Sequence, residues 1–568
     1  MRKLFILFAL VAFGATVNAA IITKSGAIAA NETWTNNNQY ILDDFVIVQP
    51  GVTLTIQQGT VIKGTKGNLD TSVNPPVLVD EPGALIVLRG GRLVANGNRF
   101  NPIVFTSAEP VGSRAAGDWG GIIIAGNAQT NEGNNAQLEA FSALASPIDI
   151  FYGADASGSF NNNDDSGVLR YVRIEYAGFD IIQDEELNSL TLAGVGRGTS
   201  INYVQCSFGL DDAFEFFGGN VDAKFLVAYA TKDDDFDTDQ GNFSRLQYGV
   251  SFKEPSIADI SGSNGIESDN DRSNPTVTPA TRTTFSNFNF FGARQTRFNA
   301  FDPNHEYGAH IRRGSRTSVF NSVFIGAPVA GIFLDGAETN DNANNSTPQR
   351  LELKSNTISV LEASDLHILS NDETALGETA ASWVESAAQF NTCRTGNAAS
   401  LGIRFPYDVN LIAKWKLQAS SVLLGAADFT DIRVQSGFFR KSPNFRGAFG
   451  LPGGVSNWVN AWTNFDPQNE AYPAPPATAG IEATEVVSNI EILNSQDDVT
   501  VFINNDIASE VVVSAINPQT GETVFTMESN EKFEGPNSFD FKMPAAGIYV
   551  LKVISGKDVK EQLIAVSK

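Results

Sequence analysis

The segment GLDDAFEFFGG at 209–219 is written again in outline as TKDDDFDTDQG at 231–241. Asp211 meets Asp233, Phe214 meets Phe236 and Gly219 meets Gly241, all at an offset of 22. Carboxylates repeated in register suit two kinds of chemistry, the holding of a hard cation and proton transfer. Side chains alternate along a strand. If Phe214 and Phe236 face a core, Glu215 and Asp237 therefore face away from it, with Asp211, Asp233 and Asp239 on the same outer side. The segment GIESDN at 265–270 extends the pattern, because matching Ile266 to Phe236 puts Glu267 above Asp237 and Asp269 above Asp239. One step further, HIRR at 310–313 would place Ile311 inside and Arg312 outside, closing the column with a cation.

Ionised carboxylates one strand spacing apart repel by about 1–3 kcal/mol per pair near a surface, so such a column needs a partner. Ca²⁺ accepts about six to eight oxygens in relaxed geometry. Its candidate ligands are Asp211, Glu215, Asp233, Asp237, Asp239, Glu267 and Asp269. A solvated acidic stripe relieved by Arg312, or a catalytic cluster with raised carboxyl pKa values, are the open alternatives. A Ca²⁺-dependent uronate lyase also needs a base, and Lys232, Arg245, Arg312 and Arg313 are the available ones, without distinctive spacing. A hydrolase needs two carboxyl groups flanking the scissile bond. LDDAF at 210–214 faintly resembles the paired-aspartate motif of polygalacturonases, but no Gly-His-Gly segment accompanies it. There is no G-x-S-x-G elbow, phosphate loop or H-E-x-x-H, and no catalytic residue is assigned. Lys232, Arg312 and Arg313 are candidate ligand contacts. So are Trp458 and Trp462, which with Phe465 would either stack on sugar rings or seal the end of a solenoid. His305 and His310 lack a third partner at metal spacing and read as surface or loop residues.

A fixed period in the low twenties, with strands between turns and almost no helix, predicts stacked coils, a parallel β-helix. RTTFSNFNFFG (282–292) and RTSVFNSVFIG (316–326) are two more matching strands. The 50 glycines and 40 phenylalanines among 568 residues suit such a β-rich chain. A net charge of −25 argues against nucleic-acid partners, which require a basic face. The two cysteines, Cys206 and Cys393, make no framework, and Cys206 reads as buried and unpaired. ETALGETAASWVESAAQFN (373–391) reads as an amphipathic helical insertion with Trp383 and Phe390 on one face. MRKLFILFALVAFGATVNAA (1–20) has the basic start, apolar run and small residues of a signal peptide, and no later run is long enough to cross a membrane. A proline- and alanine-rich linker covers 471–485, and 486–568 reads as a small sandwich of short strands.

The segments GVLRYVRIEYAG, LTLAGVGRGT, DDAFEFFGG, DDDFDTDQG, GIESDND, HIRRG and GAFG…W…W…FDPQN resemble a family of secreted Bacteroidota right-handed parallel β-helix proteins over most of 40–470. The ending AAGIYVLKVISGKDVKEQLIAVSK, with Gly547, Tyr549 and Val553 on one strand, resembles the C-terminal sorting domain of type IX secretion. These resemblances imply an all-β fold, a parallel β-helix over 21–470 followed by the sandwich. They also imply the type IX secretion machinery as a partner and the cell exterior or outer surface as destination. They supply no activity. The function expected first is glycan binding or adhesion by a monomer, with an extracellular polysaccharide as partner. A Ca²⁺-dependent polysaccharide lyase or a glycoside hydrolase is the alternative, and a structural matrix protein the third.

Overall fold

The computed structural model describes residues 20–472 and 490–566, apart from short stretches at 71, 74–76, 139–140, 142–148, 183–184, 345–350, 412–413, 453, 496–497, 519–521, 529–532, 544 and 556–557. Residues 1–19 of the expected signal peptide and most of the expected linker lie outside the described residues.

Alternating apolar residues between glycine, asparagine and proline breaks produce short strands, and these stack into one hydrogen-bonded system in which every pairing is parallel. The strands fall into three columns, so the chain is a parallel β-helix. One column runs Ala84–Val87, Gly121–Ala125, Leu190–Ala193, Phe214–Phe217, Phe236–Asp239, Ile266–Ser268, Tyr307–Ile311, Ala330–Leu334 and Leu366–Ser370. The other two columns share long bent strands such as Gly167–Glu175, Ser200–Ser207, Asp222–Tyr229 and Arg245–Phe252. The predicted register holds at the site: Phe214 pairs with Phe236 and Glu215 with Asp237, and next Phe236 pairs with Ile266 and Asp237 with Glu267. Phe214 and Phe236 are fully buried, and their rings stack at 5.1 Å and 3°.

Each long strand bends at a residue in the left-handed region. Tyr171, Tyr203, Phe225 and Tyr248 lie in register there with φ between 50° and 64°. That conformation costs a non-glycine residue about 1–2 kcal/mol. Stacking recovers a comparable amount, about 0.5–1.5 kcal/mol per ring pair beyond burial. The rings lie 4.3, 4.4 and 5.3 Å apart along the row. A strap formed by residues 398–472 covers this row. Trp462 packs edge-on to Tyr171 and Tyr203, and Trp458 packs on Phe225. Where the row continues as Asn287 and Asn321, their side chains bond the strap backbone at Phe445 and Asp428 instead. Trp458 and Trp462 are therefore buried, 3% and 0% exposed, and cover a lateral corner. They neither present a face to a sugar nor seal the end of the stack.

The expected long helix at 373–391 is broken into Glu373–Leu376 and Ala380–Val384, each capped by its own residue, Asp372 and Thr379. Trp383 enters the main core and donates its indole N–H to Ala343 O at 2.8 Å. Phe390 does not share its face: it lies past the helix end and is 62% exposed. Cys206 is fully buried and unpaired. Residues 490–566 form antiparallel sheets of three and four strands around one core, with Tyr549 and Val553 on the strand Gly547–Ser555. No helix among the described residues is long and apolar enough to cross a membrane.

Phe236 is enclosed by Phe214, Phe285 and Phe288. Phe236→Ala is expected to lower the stability of the coil domain by about 3–5 kcal/mol in urea unfolding followed by fluorescence. Phe298→Ala, at a side chain 94% exposed, is expected to change it little. Equal effects of the two would contradict the stacked core.

Candidate functional site

The outward positions of one column run Thr191, Glu215, Asp237, Glu267 and His310. The third residue above Glu215 is therefore His310, and the expected Arg312 lies past the end of its strand. Ile311 does face the core. Arg312 nonetheless folds back on the acids: its Nε donates to Asp269 Oδ1 at 2.7 Å, and its guanidinium pairs with Glu267. Arg313 pairs with Asp269 as well.

Just ahead of these strands the corner holds a second row. Asp212 N donates to Asn188 Oδ1, Asp234 N to Asp212 Oδ1, Asn264 N to Asp234 Oδ1 and Tyr307 N to Asn264 Oδ1. Each rung passes one backbone N–H to a side-chain oxygen below, which satisfies donors that the turn leaves unpaired. Asparagine does this without charge on the two outer rungs, yet the two middle rungs carry aspartate. Asp212 and Asp234 escaped the sequence reading, although the same offset of 22 relates them.

The acids of both rows, with Asn188 and Thr191, line a cleft of about 630 Å³ together with Asp211, Asp233, Asp239, Phe217 and residues from two insertions. The insertion after Gly121–Ala125 brings Glu132, Leu138, Phe141 and Tyr152, and the one after Ile266–Ser268 brings Asp271, Arg272 and Ser273. The acids face away from the coil interior as expected, but these walls bury them: Glu215 is 4% exposed, Asp212 6% and Glu267 8%.

Burial, then mutual repulsion, raises the carboxyl pKa values. Glu215 and Asp233 are pushed up to about 8 and Glu267 to about 7, with burial the largest cause in each. Asp212, Asp234, Asp237 and Asp239 are raised by burial and then by neighbouring carboxylates. The two ends of the cleft differ. Arg312 and Arg313 neutralise Glu267 and Asp269 at one end. At the other, no cation among the described residues pairs with Asp212, Glu215 or Asp237. Glu215 Oε1 and Asp237 Oδ1 are buried there without a hydrogen-bond partner among the described residues. Asp212, Glu215 and Asp237 offer oxygens all within 4.8 Å of one another, as do Asp211, Asp212 and Asp233. An all-carboxylate donor set of this kind suits a hard cation such as Ca²⁺.

Other candidates fall elsewhere. Lys232 pairs with Asp259 at 2.9 Å and does not line the cleft. Arg245 pairs with Asp222 on another column. His305 and His310 are buried rather than superficial, bonded to Glu254 O and to Asp335. Trp458 and Trp462 are committed to the strap.

Among curated proteins none matches this chain. A family model described as a pectate-lyase-like β-helix domain matches residues 26–402, the stretch that carries both the stacked coils and the carboxylate cleft. The chain belongs to the pectate-lyase-like β-helix domain family.

Proposed function

We propose that this chain is an exported polysaccharide-binding protein whose carboxylate cleft holds Ca²⁺ and, through it, the oxygens of a glycan. The observation that carries the reading is the pair of buried, unpartnered oxygens, Glu215 Oε1 and Asp237 Oδ1, beside Asp212. Leaving such groups unsatisfied costs about 1–3 kcal/mol each, more when charged, and a divalent cation removes that cost. Asp211 and Asp233 add donors around Asp212 at the same end, while Glu267 and Asp269 are already held by arginines. Phe217, Phe141 and Tyr152 supply apolar wall for sugar rings. The family supports a polysaccharide partner. The N-terminal segment and the C-terminal sandwich support export by type IX secretion to the outer surface.

Binding is favoured over lyase chemistry because the arginines beside the acids, Arg312 and Arg313, are committed to ion pairs with Glu267 and Asp269. Arg312, the basic side chain nearest the acids, has its pKa raised by Glu267 and Asp269, which holds its proton more firmly. A glycoside hydrolase is the second reading, favoured by the pKa of about 8 at Glu215, which keeps a proton available for a leaving group at neutral pH. Release of reducing ends from uronic-acid polymers, abolished by Glu215→Gln, would replace binding by hydrolysis. No product is expected.

Calorimetric titration of the full chain with Ca²⁺ is expected to show saturable binding that Glu215→Gln and Asp237→Asn each weaken at least about tenfold, the loss of one charged ligand being worth about 1.4 kcal/mol or more. Absence of heat at millimolar Ca²⁺ would remove the metal from the account.

Stability gives a second test. The raised carboxyls bind more protons folded than unfolded between their ordinary values and pH 7–8. Without metal, stability from these groups is therefore full near pH 4 and is lost as pH rises through about 7–8. In EDTA the Tm of the coil domain is expected to fall from pH 5 to pH 8. Added Ca²⁺ is expected to raise it more at pH 8 than at pH 5, since protons and metal compete for the same oxygens. A Ca²⁺ effect larger at pH 5 would contradict the proposal.

A further inference from the structure

On a different column from the carboxylates, a groove of about 400 Å³ is lined by Arg197, Phe243, Arg245, Arg282, Thr284, Arg316, Ser318 and Arg433. Five of its eight lining residues are arginines and none is acidic, in a chain with 64 acidic and 39 basic residues. The concentration follows from register. Arg245, Thr284 and Ser318 are aligned on successive rungs. Phe243, Arg282 and Arg316 each stand two residues ahead of them, so they form a second aligned row. Backbone bonds from Arg282 N to Asn242 O and from Arg316 N to Thr281 O tie these corners rung to rung. Arg433 reaches the groove from the strap.

Local acids balance this charge only in part: Arg433 pairs with Asp431 and Glu352. Arg197 and Arg245 share a single carboxylate, Asp222. Arg282 is exposed and rests over the Phe243 ring at 5.2 Å, with no carboxylate partner among the described residues. Arg197 approaches the same ring at 6.0 Å, so Phe243 has a guanidinium from each of two rungs against it. Burial lowers the pKa of Arg197, with Arg245 and Arg282 adding to it and Asp222 opposing it.

We infer that this groove is a second binding site, for an acidic polysaccharide bearing carboxylates or sulfate esters. Guanidinium forks match such groups bidentately. Rungs repeat about every 4.8 Å, so the two rows present donors at regular intervals to an extended polymer laid along the coil axis. Phe243 gives an apolar patch between them. The pectate-lyase-like β-helix family to which the chain belongs favours a polysaccharide over a nucleic acid as the occupant. This site is independent of the carboxylate cleft and needs no metal.

The test is binding of the full chain, in EDTA and at low ionic strength, to polygalacturonate, to dextran sulfate, to neutral dextran and to a single-stranded oligonucleotide. EDTA silences any Ca²⁺-mediated contact, so failure of the cleft proposal leaves this result unaffected. Retention by polygalacturonate or dextran sulfate is expected, with none by dextran, and the tighter of the two identifies the anionic group. Arg282→Glu is expected to weaken it at least about tenfold, as for a lost charge-assisted contact, and Phe243→Ala to weaken it as well. Arg92→Glu, at an exposed arginine paired with Asp165, is expected to leave it unchanged. Binding that is equal for neutral dextran, indifferent to Arg282→Glu or stronger for the oligonucleotide would overturn the inference.

Discussion

Parallel stacking in register is the constraint from which the rest of this molecule follows. When one coil sits directly above another, each residue acquires its counterpart as a vertical neighbour at about 4.8 Å. For the inward positions this is favourable: Phe214 lies flat on Phe236, and the interior fills with aligned apolar side chains. For the outward positions the same geometry is indifferent to charge. The register that stacks the rings also sets Glu215 beside Asp237 and Asp237 beside Glu267. Those carboxylates could not be separated without shifting the core by a residue, which would turn every side chain to the wrong face.

The three columns resolve that constraint in different ways. One corner uses it to stack Tyr171, Tyr203, Phe225 and Tyr248 in a strained backbone conformation, and the strap then buries the row. Another uses it to relay backbone hydrogen bonds through Asn188, Asp212, Asp234 and Asn264. The acidic column carries unbalanced negative charge at one end and arginine relief at the other. The arginine rows carry the opposite charge on a separate column. A coil stack of this design separates opposite charges by column while one core supports all of them.

The fold and the acidic column were legible because two adjacent coils, at 209–219 and 231–241, differ in length by nothing and repeat both their phenylalanines and their acids. Other coils carry insertions at their corners, so their spacing varies and the period is lost to inspection. The residue above Glu267 was misjudged for that reason: after a long insertion, alignment by residue type favoured Arg312, whereas the ladder pairs Glu267 with His310. Burial of the acids was not legible either, because the walls that enclose them come from insertions with no local signal of where they fold. Trp458 and Trp462 were misplaced by the same limit. Their partners lie more than two hundred residues earlier, and only the left-handed bends at Tyr203 and Phe225 create the corner they cover. Asp212 and Asp234 were readable in principle, as the second acid of each repeated pair, but their backbone role depends on turn geometry.

The central claim is that stacking forces carboxylates together and that a cation relieves them. Its most direct test is a crystal soaked in a lanthanide, a Ca²⁺ mimic with a strong anomalous signal. The account predicts a peak bonded to Glu215 Oε1 and Asp237 Oδ1 at roughly 2.3–2.6 Å, the usual range for Ca²⁺–oxygen ligation, with Asp212 alongside. A cleft with no anomalous density, in crystals where the ion is bound elsewhere, would contradict it.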